Sequence, residues 1–228
     1  VQFHWWDYEM PAWLETLGWL KELQQDGRID KISATNFDSE HVTAILDGGI
    51  PLTSLQLQYS LLDRRPEKRM VELAARHDFA LFCYGTVAGG FLSDRWLGKS
   101  EPEHPLENRS LTKYKLIIED LGGWDLFQAL LSTLRKVADS HATDIATIAS
   151  AAMLRRPGVT AVIVGARNRD HLASNLAISN IVLSDADLAE IETALSGARE
   201  LEGDVYTLER DRTGRHGSIM KYNLNKGE

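Results

Sequence analysis

The sequence predicts an α/β protein built on a parallel sheet, and three observations carry that expectation. Short apolar runs alternate with helical patterns along the 228 residues, the order that layered strand–helix folds require. The run GVTAVIVGA is apolar almost throughout, as in strands covered on both faces of a parallel sheet. Polar residues follow each apolar run, at the end where parallel α/β folds build their sites.

Each element has its own justification. VQFHWW reads as the first strand, and Pro11 stands at a helix start. Trp13, Leu14, Leu17, Leu20 and Leu23 form a stripe at helical spacing that Gly27 ends. IDKISATNF is the second strand. The helix from Ser39 carries Val42, Ile45 and Leu46 and closes at Gly48-Gly49. TSLQLQYSLL is the third strand, Met70, Leu73 and Ala74 mark a helix, and ALFCYGT is the fourth strand. A long excursion, Val87 to His141, separates the fourth and fifth strands. Its first part, 92–115, is polar and reads as a flap-like loop. Its second part is a helix with Phe127, Leu130, Leu131, Leu134 and Val137 on one face. Ile145, Ile148, Ala149, Ala152 and Met153 continue a second helix up to Pro157. After the fifth strand, GVTAVIVGA, Asn168 could cap a helix through Leu176. Ser184 and Asp187 form a capping box for a last helix carrying Leu188, Ile191 and Leu195. The expectation is one domain over 1–200 and a tail over 201–228, whose mixed charges suggest a surface strap or a subunit contact, the alternative being simple disorder.

Composition narrows the function classes. A net charge of −8 and scattered basic residues give no footprint for nucleic acid or an anionic membrane. No run of apolar residues is long enough to span a bilayer. The start lacks the basic segment of a secretory leader. The single cysteine, Cys83, forms no internal disulfide and fits a reducing compartment, so the chain is expected to be cytoplasmic. Several motifs fail. Gly98-Lys99-Ser100 lacks the earlier glycine of a phosphate loop. There is no GxGxxG fingerprint. The seven histidines lack metal-ligand spacing, so no metal site is expected. Asn108-Arg109-Ser110 matches a glycosylation sequon by chance.

His4 is the residue that composition explains least. A lone histidine in an apolar strand is usually a satisfied core residue. This one lies near a strand end, before Trp5, Trp6, Asp7 and Tyr8. The other strand ends carry Thr35-Asn36, Gln56 with Tyr59, Tyr84-Gly85-Thr86, and Gly165-Ala166-Arg167-Asn168. Polar groups at the same end of five successive strands are hard to attribute to chance. Gly85, Gly89 and Gly90 could let backbone approach a diphosphate. Arg167 and Asn168, just before a helix, suit an anionic phosphate.

At these residues the chain resembles a known family. FHWW, ISATNF, LQLQYSLLDRRPE, CYGTVAGGFLSDRWLG and VIVGARNRDHLASNL occur in the order of an aldo-keto reductase, and the likeness runs over nearly the whole chain. The resemblance implies an eight-stranded (β/α)8 barrel of TIM type, here incomplete, with about five parallel strands, the fourth to the eighth. It implies NADP(H), with NAD(H) not excluded, and hydride transfer to or from a small carbonyl or alcohol. Carried over, His4 would orient the substrate carbonyl, and Trp5 and Trp6 would line the pocket. Thr35 and Asn36 would hold the nicotinamide carboxamide, with Gln56 joining them, and Tyr84 would stack on the ring. Gly85, Thr86 and Gly89 belong to the expected diphosphate loop. Arg167, Asn168, His171 and Asn175 fall where the family grips the adenosine end. His171 stands where many members have Arg, and Gly165 where many have Lys, which weakens the case for strong NADP selectivity.

The same resemblance implies that three strands, with the family's catalytic Tyr, Lys and Asp, precede the first residue. Tyr8 and Tyr59 offer no convincing substitute, so no general acid is assigned. Five strands cannot close an eight-stranded barrel, and open edges invite self-association. The expected function is an NADP(H)-dependent reductase part that is inactive alone. The alternative is a truncated barrel with a cofactor-independent isomerase- or cyclase-like role at His4.

Overall fold

The computed structural model describes residues 1–166 and 169–220. Its strands are β1 (Gln2–His4), β2 (Ser33–Thr35), β3 (Ser54–Gln58), β4 (Ala80–Tyr84) and β5 (Val159–Ile163), ordered β1-β2-β3-β4-β5 in one five-stranded sheet. The sheet is parallel with flanking helices, as the alternation of runs predicts. Sequential order follows because each crossover helix returns the chain to the adjacent position. By contact density the chain falls into two units. The first holds Val1–Gln58, Arg65–Phe82 and Glu202–Glu228, and the second Tyr59–Arg64 and Cys83–Leu201.

In the first unit, α1 (Trp13–Gln25) follows β1. Of its predicted stripe only Leu17 is fully buried, and Leu14 is exposed, as is Trp19 outside the stripe. α2 (Ser39–Asp47) starts at Asp38, whose carboxylate accepts from His41 N–H, and Val42 and Ile45 turn inward. This is the side-chain cap that satisfies an otherwise unpaired first-turn donor. α3 (Met70–His77) ends where Asp78 takes a left-handed conformation. The core gathers Leu17, Ile32, Phe37, Ile45, Leu55, Leu57 and Leu81, all fully buried.

The segment from Glu202 is part of this unit. Val205 and Tyr206 are buried, α9 (Thr207–Arg210) follows, and Glu209 is 1% exposed in a two-pronged ion pair with Arg65. The strap reading of the tail therefore describes residues 202–220, and disorder does not.

In the second unit, the polar stretch read as a loop contains a helix. α4 (Arg109–Leu121) is capped by Asn108, which accepts from Leu111 N–H. Leu111, Tyr114, Ile117, Ile118 and Leu121 bury one face. α5 (Trp124–Ser140) and α6 (Ile145–Leu154) follow, the latter capped by Asp144. Phe127, Leu130, Leu134, Ile148 and Met153 are fully or nearly fully buried. α7 (Leu172–Ala177) is preceded by one 3-10 turn, Arg169–His171. α8 (Asp185–Ala194) carries the predicted capping box between Ser184 and Asp187. β5 departs from its expected burial: no residue in it is fully buried, and Ile163 is 41% exposed. It ends the sheet, so a run suited to two-sided burial is left partly open.

Among the described residues no helix is long and apolar enough to cross a membrane.

Candidate functional site

Parallel register assembles the polar strand ends of the first unit. His4 closes β1 and pairs with Thr35, which closes β2, and Thr35 pairs with Gln56 of β3. Paired residues point to the same face of a sheet. The three side chains therefore form one row across adjacent strands. Asn36 follows directly, in the left-handed region at φ 61°, with its N–H donating to Gln56 O. Asparagine tolerates that conformation better than most residues.

The tail completes the surroundings of the row. Tyr206 Oη accepts from Gln58 N–H at 2.9 Å and donates to Asn36 Oδ1 at 2.8 Å. Asn36 Nδ2 lies 3.4 Å from His4 Nε2. The Arg210 guanidinium sits over the rings of Tyr8 at 4.0 Å and Trp6 at 4.6 Å. It also donates to Asn36 O, Trp6 O and Asp38 Oδ2. Desolvation and then the Arg210 charge hold the His4 imidazole below its ordinary pKa, since both disfavour imidazolium.

The predicted pocket aromatics have their own contacts. Trp5 directs its indole N–H to Asp7 O and Met10 O, which fixes the loop after β1. Trp6 meets Tyr206 edge-on, with centroids 5.8 Å apart. Tyr8 stacks on His41 at 3.4 Å and accepts from Asp38 N–H, and burial raises its phenol pKa. Tyr59 is fully buried. Burial thus keeps the Tyr8 phenol from being poised as an acid near neutral pH.

In the second unit, Tyr84 closes β4 and is half-buried. Gly85 and Gly89 have positive φ, and atoms of α4 lie close to both. A Cβ on Gly85 would fall 2.0 Å from Tyr114 Oη, and one on Gly89 would fall 2.7 Å from Ser110 Oγ. Those two glycines are thus required by the packing of α4. Gly90, at φ 101°, has nothing within 4 Å of its Cβ position and faces open space. Thr86 is buried with its hydroxyl 2.9 Å from Ser150 Oγ. Asn175 Nδ2 donates to Gly165 O at 2.9 Å, and His171 is exposed. Arg167 and Asn168 lie outside the described residues. No group of metal-binding side chains occurs among the described residues.

Sequence reasoning missed Tyr206, Glu209 and Arg210. Their signal was faint, because a short helix with one tyrosine and alternating charges has no period that marks burial.

Comparison with known proteins bears on the whole arrangement. The model of the Aldo/keto reductase family matches residues 1–196. The NADH-specific methylglyoxal reductase of Escherichia coli (strain K12) is 27% identical over 173 residues, covering 76% of this chain and 51% of that protein. The L-glyceraldehyde 3-phosphate reductase of Escherichia coli O157:H7 is 25% identical over 187 residues, covering 78% and 53%. Among solved structures, the glycerol dehydrogenase of Gluconobacter oxydans superposes with a TM-score of 0.72 at 22% identity, covering 89% of this chain and 60% of that one. The chain spans about half the length of the two reductases. The strap, beyond residue 196, lies outside the family match.

Proposed function

Because this chain belongs to the aldo/keto reductase family, we propose that its first unit forms the carbonyl- and nicotinamide-binding part of an NAD(P)H-dependent oxidoreductase that interconverts aldehydes or ketones with alcohols. The observation that carries this reading is the row His4, Thr35 and Gln56 with Asn36 beside it. A nicotinamide carboxamide presents one carbonyl acceptor and one NH2 donor. A hydroxyl, a primary amide and a partly engaged asparagine supply complementary donors and acceptors, so the residues fit the group.

The nicotinamide, when bound, gives or takes the hydride. The chain's own residues do the rest. Thr35 and Gln56 orient the carboxamide, and Asn36 keeps an N–H for it. His4 hydrogen-bonds the substrate oxygen and aligns the carbonyl carbon, which supplies orientation. The tryptophans exclude water from that carbon. No residue of the chain is assigned the proton transfer. In the second unit, Tyr84 and the Gly90 backbone are the proposed cofactor contacts, with His171 and Asn175 toward the adenosine end. Without a lysine at 165 or an arginine at 171, NADH and NADPH are expected to bind comparably. The comparisons do not favour the cofactor-independent alternative.

The test is a titration of the folded chain with NADH and NADPH, followed by tryptophan fluorescence. Saturable quenching is expected. Thr35→Val and Gln56→Ala should each weaken binding about 3- to 10-fold, the worth of one neutral hydrogen bond. A folded chain with no quenching by either cofactor would overturn the assignment.

A further inference from the structure

We propose that Tyr206, carried by the C-terminal strap, is a positioning residue that orients the Asn36 amide and thereby keeps His4 a neutral imidazole with its ring proton on Nδ1. The inference rests on the reading of His4 as the carbonyl-orienting group only for what that state is used for. The state itself follows from the hydrogen-bond chain.

Gln58 N–H is a backbone donor and cannot accept, so at 2.9 Å the Tyr206 oxygen must accept from it. The hydroxyl proton of Tyr206 is directed along its 2.8 Å contact to the Asn36 side chain. A group receiving that proton must be the amide oxygen. The amide nitrogen of Asn36 is therefore the end that faces His4 Nε2 at 3.4 Å. An N–H facing that ring nitrogen needs a lone pair there, so the ring keeps its proton on Nδ1. Tyr206 thus removes the ambiguity between the two ends of an asparagine amide, which chemistry alone would leave open.

The strap holds each member of the chain in place. Tyr206 is 1% exposed, and its ring meets Trp6. Arg210, from the short helix that follows Tyr206, donates to Asn36 O at 2.7 Å and pins the left-handed backbone. Arg210 is also the charge that acts on His4. The nearby Asp38 is engaged by Arg210 and by His41. The remaining neighbour across the sheet, Thr35, is uncharged. Geometry and charge therefore point the same way, and both disfavour imidazolium. The consequence for the proposed site is specific. The donor that His4 offers is Nδ1–H, and it offers it at neutral pH without carrying charge.

The experiment is a 15N NMR titration of histidine-labelled chain, with the His4 resonances identified by their loss in His4→Gln. The wild type is expected to show a bare Nε2 and a protonated Nδ1 at pH 7. In Tyr206→Phe, Asn36 can reverse its amide and present oxygen to Nε2. The tautomer should then shift toward Nε2–H, and the His4 midpoint should rise by on the order of one pH unit. Asn36→Asp tolerates the left-handed backbone and places only acceptors beside the ring, so it should move both readouts further in the same direction. A wild type carrying Nε2–H overturns the proposal. So does a folded Tyr206→Phe whose His4 tautomer and midpoint match the wild type. If Tyr206→Phe does not fold, Asn36→Asp decides: an unchanged tautomer overturns the proposal and a switched one supports it. None of these readouts depends on cofactor or activity, so failure of the redox reading would leave them intact.

Discussion

Replacing Glu209 by alanine tests whether the strap is integral to the first unit. Glu209 and Arg65 are each 1% exposed, and two charge-assisted bonds of 2.9 and 2.8 Å join them. Removing the carboxylate takes two charge-assisted bonds from a buried guanidinium, and breaking a buried pair in this way costs roughly 3–5 kcal/mol. The companion change Arg65→Met/Glu209→Leu removes both charges and should recover most of that loss, since apolar replacement of a buried pair is often near neutral. The assay is urea unfolding followed by tryptophan fluorescence, to which Trp6 beside Tyr206 contributes. With a slope of roughly 2–3 kcal/mol per molar urea, Glu209→Ala should lower the midpoint by about 1–2 M. A fall of less than about 1 kcal/mol at unchanged slope would refute the reasoning. It would mean that the pair is solvated in solution and that the strap contributes little.

Other outcomes follow from single contacts. Gly85→Ala should destabilise the second unit by at least about 2 kcal/mol, because the new methyl meets Tyr114 Oη and φ is 74°; adding Tyr114→Phe should restore part of the loss in the same denaturation assay. Arg210→Gln should raise the His4 midpoint in an NMR titration, because the removed cation is one of the two causes holding it down. Burial pushes the Asp187 carboxyl up, but hydrogen bonds from Ser184 and His141 outweigh it and hold its pKa below the ordinary value. Its stabilising contribution is present above the unfolded carboxyl range and is lost as pH falls through the folded value. Ser184→Ala should cost about 1 kcal/mol at neutral pH and flatten the stability profile below pH about 4. The sheet ends at β1 and β5, with Ile163 exposed, so sedimentation should show concentration-dependent association; a monodisperse monomer across concentrations would contradict it.

Much of this arrangement was legible in the chain. Strand order and the polar strand ends could be read because a two-residue side-chain period and intervening helices leave few topologies. The row of His4, Thr35 and Gln56 needed only that each residue close or approach the end of a parallel strand. Three features were hidden. α4 was obscured by the polar stretch before it, although Leu111, Tyr114, Ile117, Ile118 and Leu121 keep helical spacing. The exposure of β5 could not be read from its apolar run, because burial depends on what stands beside a strand and not on its own side chains. The anchors of the strap were invisible because their hold is non-local: Glu209 reaches Arg65 across 144 positions, and Tyr206 reaches Asn36 across 170. No local period records such a partner.

The most direct test of the central claim is to follow the side-chain signals of 15N-labelled Asn36 and His4 while NADH and NADPH are added. The account predicts saturable shifts at both residues with either cofactor, and in Gln56→Ala the same shifts saturating at about 3- to 10-fold higher concentration. Cofactor binding that leaves Asn36 and His4 unmoved in the folded chain would contradict it, and the nicotinamide would have to be sought elsewhere.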